Sequence, residues 1–228
     1  MTTPAPQTIE GLPLFPLGSV LFPGGLLPLR IFEVRYLDMI GKAYKAGSPF
    51  GVVALTEGHE VRQRKKQAAG NAPPGGDGFA EESFHAVGTL SVIQRHAAPQ
   101  PGLMVVQCVG TQRFEITRRE QLKHGLWVAD VRLLPADQSV PVPLELRAAV
   151  DALAEFIGQL QAQGVPTDAM PFAEPHGLDD CGWIANRWAE LLPDTAEVKQ
   201  RLMALDSPML RLELVHDLLQ ERGIIAAQ

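Results

Sequence analysis

Cysteine is scarce in this chain. Of its 228 residues only Cys108 and Cys181 are cysteines, far apart and in no CxxC pair. A disulfide scaffold or a zinc ribbon needs more, so a reducing cytoplasm is the expected setting. Aromatics make up 6%, and Lys+Arg number 20 against 26 Asp+Glu, a net charge of −6. A dedicated nucleic-acid binder would cluster more positive charge. A continuous apolar helix is missing too. Gly11 to Leu29 carries no charge, but Pro13, Pro16, Pro23 and Pro28, with Gly18, Gly24 and Gly25, break any membrane-spanning helix there. Residues 1–10 hold no Lys or Arg and end at Glu10, so a signal peptide is not expected. The six histidines form no HExxH pattern, no GxxxxGK[ST] phosphate loop occurs, and no GxSxG elbow occurs. No metal, cofactor or catalytic residue is expected from these patterns.

What is present is a large apolar share, 46%, with 19 prolines and 21 glycines to divide it into short elements. That is ample for a core. Leu12–Leu17, Leu26–Ile31, Phe50–Leu55, Ala86–His96, Leu103–Val109 continuing through Arg113–Thr117, and Leu126–Leu134 read as strands. In the Arg113–Thr117 stretch Phe114 and Ile116 alternate with charged residues, which predicts one solvated face. Between Glu33 and Ala46, Leu37, Ile40 and Tyr44 mark a helical stripe, ended by Gly47-Ser-Pro49. Glu57–Phe84, with the basic run Arg62–Lys66 and the Asn71–Gly78 glycine cluster, reads as a long flexible loop.

After Pro135 the apolar period changes from two to about 3.6. Leu146, Val150, Leu153, Ile157 and Leu160 predict a helix from about Leu144 to Gln163. Asp179 or Asp180 is placed to cap a second helix carrying Ile184, Trp188 and Leu191. Asp194 with Glu197 resembles a capping box for a third. Ser207, Pro208 and Gly223 delimit a fourth, with Leu210, Leu214 and Leu218 as its stripe, widened by Leu212, Val215 and Leu219. The expected architecture is α+β, a barrel of six or seven mostly antiparallel strands over residues 8–135 followed by a helical bundle over 136–228. Split at Pro135, the first part has 14 Lys+Arg and 11 Asp+Glu, and the second has 6 and 15, so the halves differ as +3 and −9.

Several ordered motifs resemble one family. Leu12-Pro-Leu-Phe-Pro-Leu17, Val20-Leu-Phe-Pro-Gly24 and Leu27-Pro-Leu-Arg-Ile-Phe32 are similar to the opening of the Lon protease N-terminal domain, the LON substrate-binding family. Tyr36 and its helix, Gly88-Thr-Leu, the Gly110-Thr-Gln-Arg-Phe114 turn, Trp183–Pro193 and Leu210-Arg-Leu-Glu-Leu214 follow in the family's order. The resemblance implies a PUA-like β-pseudobarrel followed by a helical subdomain, and a domain that binds unfolded protein or peptide. It gives no ATPase module and no Ser-Lys protease domain, so a stand-alone, non-enzymatic adaptor or holdase is expected.

For peptide capture the expected place is a groove between barrel and helices, with Arg30, Phe32 and Tyr36 exposed there, unless the two aromatics are core. Two further classes compete. An RNA-binding module would suit a PUA-like fold, though the Arg62–Lys66 run has no interleaved aromatics for base stacking. A small hydrolase acting through Cys181 would exploit a thiol near a helix N-terminus, against which stand Asp179, Asp180 and the alternative of a buried thiol. His216 reads as a half-exposed structural histidine.

Overall fold

The computed structural model describes residues 7–58 and 82–226. The Arg62–Lys66 run, the Asn71–Gly78 cluster and most of the expected long loop lie outside the described residues. The two ends of that loop pair as strands, Leu55 opposite Phe84 and Glu57 opposite Ser83.

Seven strands and one helix form the first half: β1 (Thr8–Leu17), β2 (Leu26–Ile31), α1 (Val34–Ala46), β3 (Phe50–Glu57), β4 (Ser83–Phe84), β5 (Val87–Gln100), β6 (Leu103–Gln121) and β7 (Trp127–Leu133). Strands β1, β7, β6, β5 and β3 are neighbours in that order, all antiparallel, and a parallel β1–β3 pairing closes the ring. Closure satisfies the backbone groups that an open edge would leave unpaired. Leu12, Leu14, Val53, Leu90, Phe114 and Val131 fill the interior. Gly51 and Gly88 make room for Phe114; a Cβ at either would stand 2.8 or 2.7 Å from its ring.

The β5–β6 hairpin continues past the ring, and β2 pairs with the first part of β6 from Leu26–Val109 to Ile31–Met104. One face of this extension carries Leu29, Ile31, Val106 and Cys108, which pack on α1. The buried stripe of α1 is Tyr36, Met39, Ile40 and Ala43 rather than Leu37, Ile40 and Tyr44. Tyr44 is half-exposed and stacks on His96 at 4.5 Å, so its apolar ring is covered outside the core. Gly47 ends α1 with φ 62°, a left-handed cap that glycine adopts without steric cost.

The second half contains a 3-10 turn at Leu144–Leu146, α2 (Arg147–Ala162), α3 (Cys181–Leu191), α4 (Ala196–Ala204) and α5 (Pro208–Glu221). Asp180 caps α3 by accepting from Trp183 N–H at 2.8 Å. Ser207 caps α5, with Pro208 at its first turn. The cap of α4 is Thr195, not Asp194; its hydroxyl accepts from Val198 N–H, while Asp194 pairs with Arg222. A threonine one residue later has the same geometry available, and the acid is drawn to the guanidinium instead. On α5 the buried residues are Pro208, Arg211, Leu212, Val215, His216 and Leu219. Leu210 and Leu214 face outward while Leu218 is partly buried against the helical core, so the residues expected only to widen the stripe form its centre, and His216 is buried rather than half-exposed. Both rows recur at helical spacing, and contact with α3 selects the inner one.

Two buried arginines, Arg187 and Arg113, join the halves, and a third, Arg211, braces the joint from within the helical half. Arg187 on α3 donates to Gly24 O at 2.6 Å and Pro23 O at 2.9 Å, while Asn186 donates to Pro23 O at 3.4 Å. This clasps the turn between β1 and β2. Gly24 there has φ 75°, and any Cβ would stand 3.2 Å from Arg187 Nη1. The preceding Phe22 is fully buried among the helices' apolar side chains. Arg113 on β6 donates to Met203 O at 3.2 Å and Leu205 O at 2.9 Å, and pairs with Asp206 and Asp137. The face of β6 expected to be solvated is covered here by the α4–α5 connection, because these carbonyls and carboxylates supply partners that make burying a guanidinium tolerable. Arg211 on α5 donates to Leu202 O at 3.0 Å and Asn186 Oδ1 at 3.0 Å, and it pairs with Asp137 from the other side.

Candidate functional site

Alternation along β2 sets up the most suggestive surface on the first half. Leu29 and Ile31 point into the core beneath α1, so Pro28, Arg30 and the following Phe32 point out. Pro28 lacks an N–H and is tolerated where a strand has no partner to receive one. Strand β2 has that freedom: apart from a single bridge between Gly25 and Phe172, β6 is its only strand neighbour among the described residues.

At the end of β2 the chain turns into α1 and frames a cleft of about 220 Å³ with Phe15 and Leu17 from β1. Arg30, Phe32 and Tyr36 all line it, together with Glu33. Their roles differ. Phe32 is 55% exposed and the adjacent Val34 80%, whereas Tyr36 is only 2% exposed. Tyr36 is stacked on Phe15 at 4.1 Å and forms part of the wall. Arg35 fixes that wall. Its guanidinium sits 4.5 Å over the Tyr36 ring, and it donates to Glu82 at 3.0 Å, Gly125 O at 2.9 Å and Glu33 at 3.1 Å.

Sequence reasoning put these residues between barrel and helices, and the structure places them within the barrel half, between β1, β2 and α1. The groove that does run between the halves is separate, about 630 Å³, and is lined by Leu26, Pro28, Val105, Gln107 and Met170, with Arg95 and Asp168 3.7 Å apart. Pro28 borders both. Val34 and Arg35 were missed, although strand parity through Phe32 and the next charged residue pointed to them. Chemically the cleft offers an apolar floor, an exposed aromatic, one base and one acid at the rim, and a neighbouring strand edge. Such a surface has the chemistry to accept an apolar side chain of an extended peptide.

The alternative chemistry at Cys181 fares differently. The thiol is buried, its pKa is pushed up by burial and by Asp180, and its sulfur lies 3.5 Å from Pro141 O. Cys108 is likewise buried, its pKa raised to about 11 by desolvation. Neither is poised as a nucleophile. Among the described residues, no group of three or more His, Cys, Asp or Glu is placed to hold a metal, and no helix is long and apolar enough to cross a membrane.

Comparison with known proteins bears on the whole chain. A Lon N-terminal domain protein from Xanthomonas campestris is similar in structure, with TM-score 0.66 and 28% identity, over 91% of this chain and 97% of that one. The N-terminal domain of Mycobacterium avium complex Lon protease aligns with TM-score 0.50 over 92% of this chain and 97% of that one, and at 16% identity it supports the fold alone. No curated protein matches. Residues 11–221 match the family model of the ATP-dependent protease La (LON) substrate-binding domain. That match takes in the ring, the clasped turn, the cleft and all but the last turns of the helical half; the chain belongs to the LON substrate-binding domain family.

Proposed function

We propose that this chain is a non-catalytic module that captures extended or unfolded polypeptide and acts as an adaptor or holdase. In this reading a PUA-like pseudobarrel over residues 8–135 presents the peptide and the helical subdomain over 136–228 braces it. The observation that carries the reading is the cleft at the end of β2, with Phe32 standing exposed at its mouth beside the β2 edge that has no strand partner among the described residues. Main-chain hydrogen bonds to β2 would give sequence-tolerant affinity, and an apolar side chain in the cleft would give preference. Family membership supports substrate recognition as the general role. Two buried free cysteines agree with a cytoplasmic setting.

RNA binding is less well supported. Two arginines of the β6–β7 surface already face acids, Arg118 with Glu120 and Asp130 and Arg132 with Glu115, and Arg119 lies over the Phe84 and Trp127 rings.

Titration with a fluorescently labelled, reduced and carboxymethylated protein tests the proposal. Saturable binding is expected without ATP hydrolysis. Phe32→Ser is expected to weaken it about five- to thirtyfold, the effect of one aromatic anchor worth about 1–2 kcal/mol. Its thermal stability should not change, because Phe32 is outside the core. Flat isotherms across several denatured substrates would sink the proposal.

A further inference from the structure

The outward row on α5 has a neighbour of a different kind. Leu210, Leu214 and Leu218 recur every four residues, and so do Glu213, Asp217 and Glu221 three positions further on. The two rows therefore run side by side on one helical face. Leu210 and Leu214 are 43% and 40% exposed, a large apolar area for a helix whose inner row is already packed. Across from Leu214 and the partly buried Leu218, α4 and its C-cap contribute Val198, Leu202 and Leu205, and together they enclose an apolar groove of about 480 Å³, with Leu210 beyond its end. Its charged lining is Asp217, Glu221 and the single base Arg201.

We propose that this α4–α5 groove is a second docking site, distinct from the cleft beside β2, and that its occupant is an amphipathic helix of a partner protein with an apolar row flanked by Lys or Arg. Leucines at i, i+4 and i+8 present a ridge matching that of a helix laid alongside, which is how grooves between helices recognise helical partners. The sign of the flanking charge follows from the carboxylate row. Three acids one turn apart attract a basic flank and repel an acidic one, and they oppose an anionic membrane surface equally. A second copy of this chain fits poorly, because its own α5 would bring acids against acids. None of the groove's residues lines the β2 cleft, so a partner helix and an extended peptide could be held together.

The test uses the whole protein and three synthetic peptides of about 16 residues, long enough to retain helicity. One has leucines at i, i+4 and i+8 with lysines alongside; the second replaces lysine by glutamate; the third keeps the lysines but replaces leucine by alanine. Fluorescence anisotropy should show saturable binding of the leucine–lysine peptide only. Leu214→Asp should weaken it at least about tenfold, as expected for a central apolar contact. The double variant Asp217→Lys with Glu221→Lys, altered only at exposed positions, should instead prefer the leucine–glutamate peptide. Phe32→Ser should leave binding unchanged. The proposal is overturned if the alanine peptide binds equally, if the double variant keeps the original preference, or if Phe32→Ser abolishes binding. Self-association lost on Leu214→Asp, with no peptide bound, overturns it in favour of a second copy.

Discussion

Arg211→Met probes the polar network that backs the joint between the two halves, to which it is linked through Asp137, shared with Arg113. Arg211 is fully buried and donates to Leu202 O, Leu205 O, Asn186 Oδ1 and both oxygens of Asp137. Leu202, Met203 and Leu205 lie at the C-terminal end of α4, where carbonyls lack helical partners and the helix dipole is negative. Arg211 and Arg113 together satisfy those carbonyls from two different elements. Methionine keeps the length of the apolar stem but leaves Leu202 O and Asn186 Oδ1 short of a donor. Removing one partner of a buried ion pair costs about 3–5 kcal/mol. Arg113 still reaches Asp137 and Leu205 O, which argues for the lower end, about 3 kcal/mol. In a chain of this size each kcal/mol moves Tm by about 2–4 °C, so a fall of about 6–12 °C is expected.

Thermal unfolding followed by circular dichroism measures this, with Lys42→Ala as the comparison. Lys42 pairs with Asp38 at 2.6 Å on the exposed side of α1, where such pairs contribute under about 1 kcal/mol. Its Tm should move by no more than about 4 °C. Raising salt from 0.1 to 0.5 M should leave the Arg211 deficit in place, since the pair is shielded from mobile ions. An Arg211→Met protein melting within about 2 °C of the parent would refute the reasoning: the arginine would then be a passenger in a joint held by apolar packing.

Two other groups give independent checks. Burial pushes the Glu190 carboxyl up to about 7, against the lowering influence of Arg187 and Lys199. A raised carboxyl binds a proton in the folded state that the unfolded chain has released, so its contribution to stability declines as pH rises from about 4.5 to about 7. Glu190→Gln should therefore gain Tm relative to the parent across that window, and parallel Tm–pH curves would contradict the assignment. Cys108 and Cys181 are both buried with raised thiol pKa values, so Ellman's reagent at pH 8 should label neither in the native protein and both in 6 M guanidinium. Fast native labelling of Cys181 would revive its reactive reading.

The elements were largely legible because their boundaries rest on local chemistry. Strand β2 falls at Leu26–Ile31 as its apolar run and flanking turn residues require, and Ser207-Pro208 opens α5 as its capping chemistry requires. What could not be read locally was which of two adequate faces meets the rest of the molecule. Helix α5 has two leucine-bearing rows, and only its contact with α3 decides between them. Arg113 shows the same limit in a strand: alternation with Phe114 marks it as facing away from the barrel core, but not that helices cover that side. The cleft was half legible. Parity puts Arg30 and Phe32 outward, while the burial of Tyr36 depends on Phe15, twenty-one positions earlier.

These limits share a cause that bears on function. The charged groups most remote from water are engaged with carbonyls and carboxylates: Arg113 and Arg187 reach across the joint, and Arg211 braces the helical side of it. The exposed large apolar residues include Phe32 at the cleft, with Val34 two residues on, and Leu214 at the groove, with Leu210 one turn before it. A catalytic design would reverse that distribution, bringing perturbed titratable groups to an open cleft. Here the carboxyl raised to about 7, Glu190, is tied to Arg187 behind the clasped turn. Rigid polar joints behind open apolar surfaces suit a protein that holds chains in place. On the two proposals made above, the surfaces would make different demands on their occupants: an extended peptide at the β2 edge, and a helix with basic flanks at α4–α5.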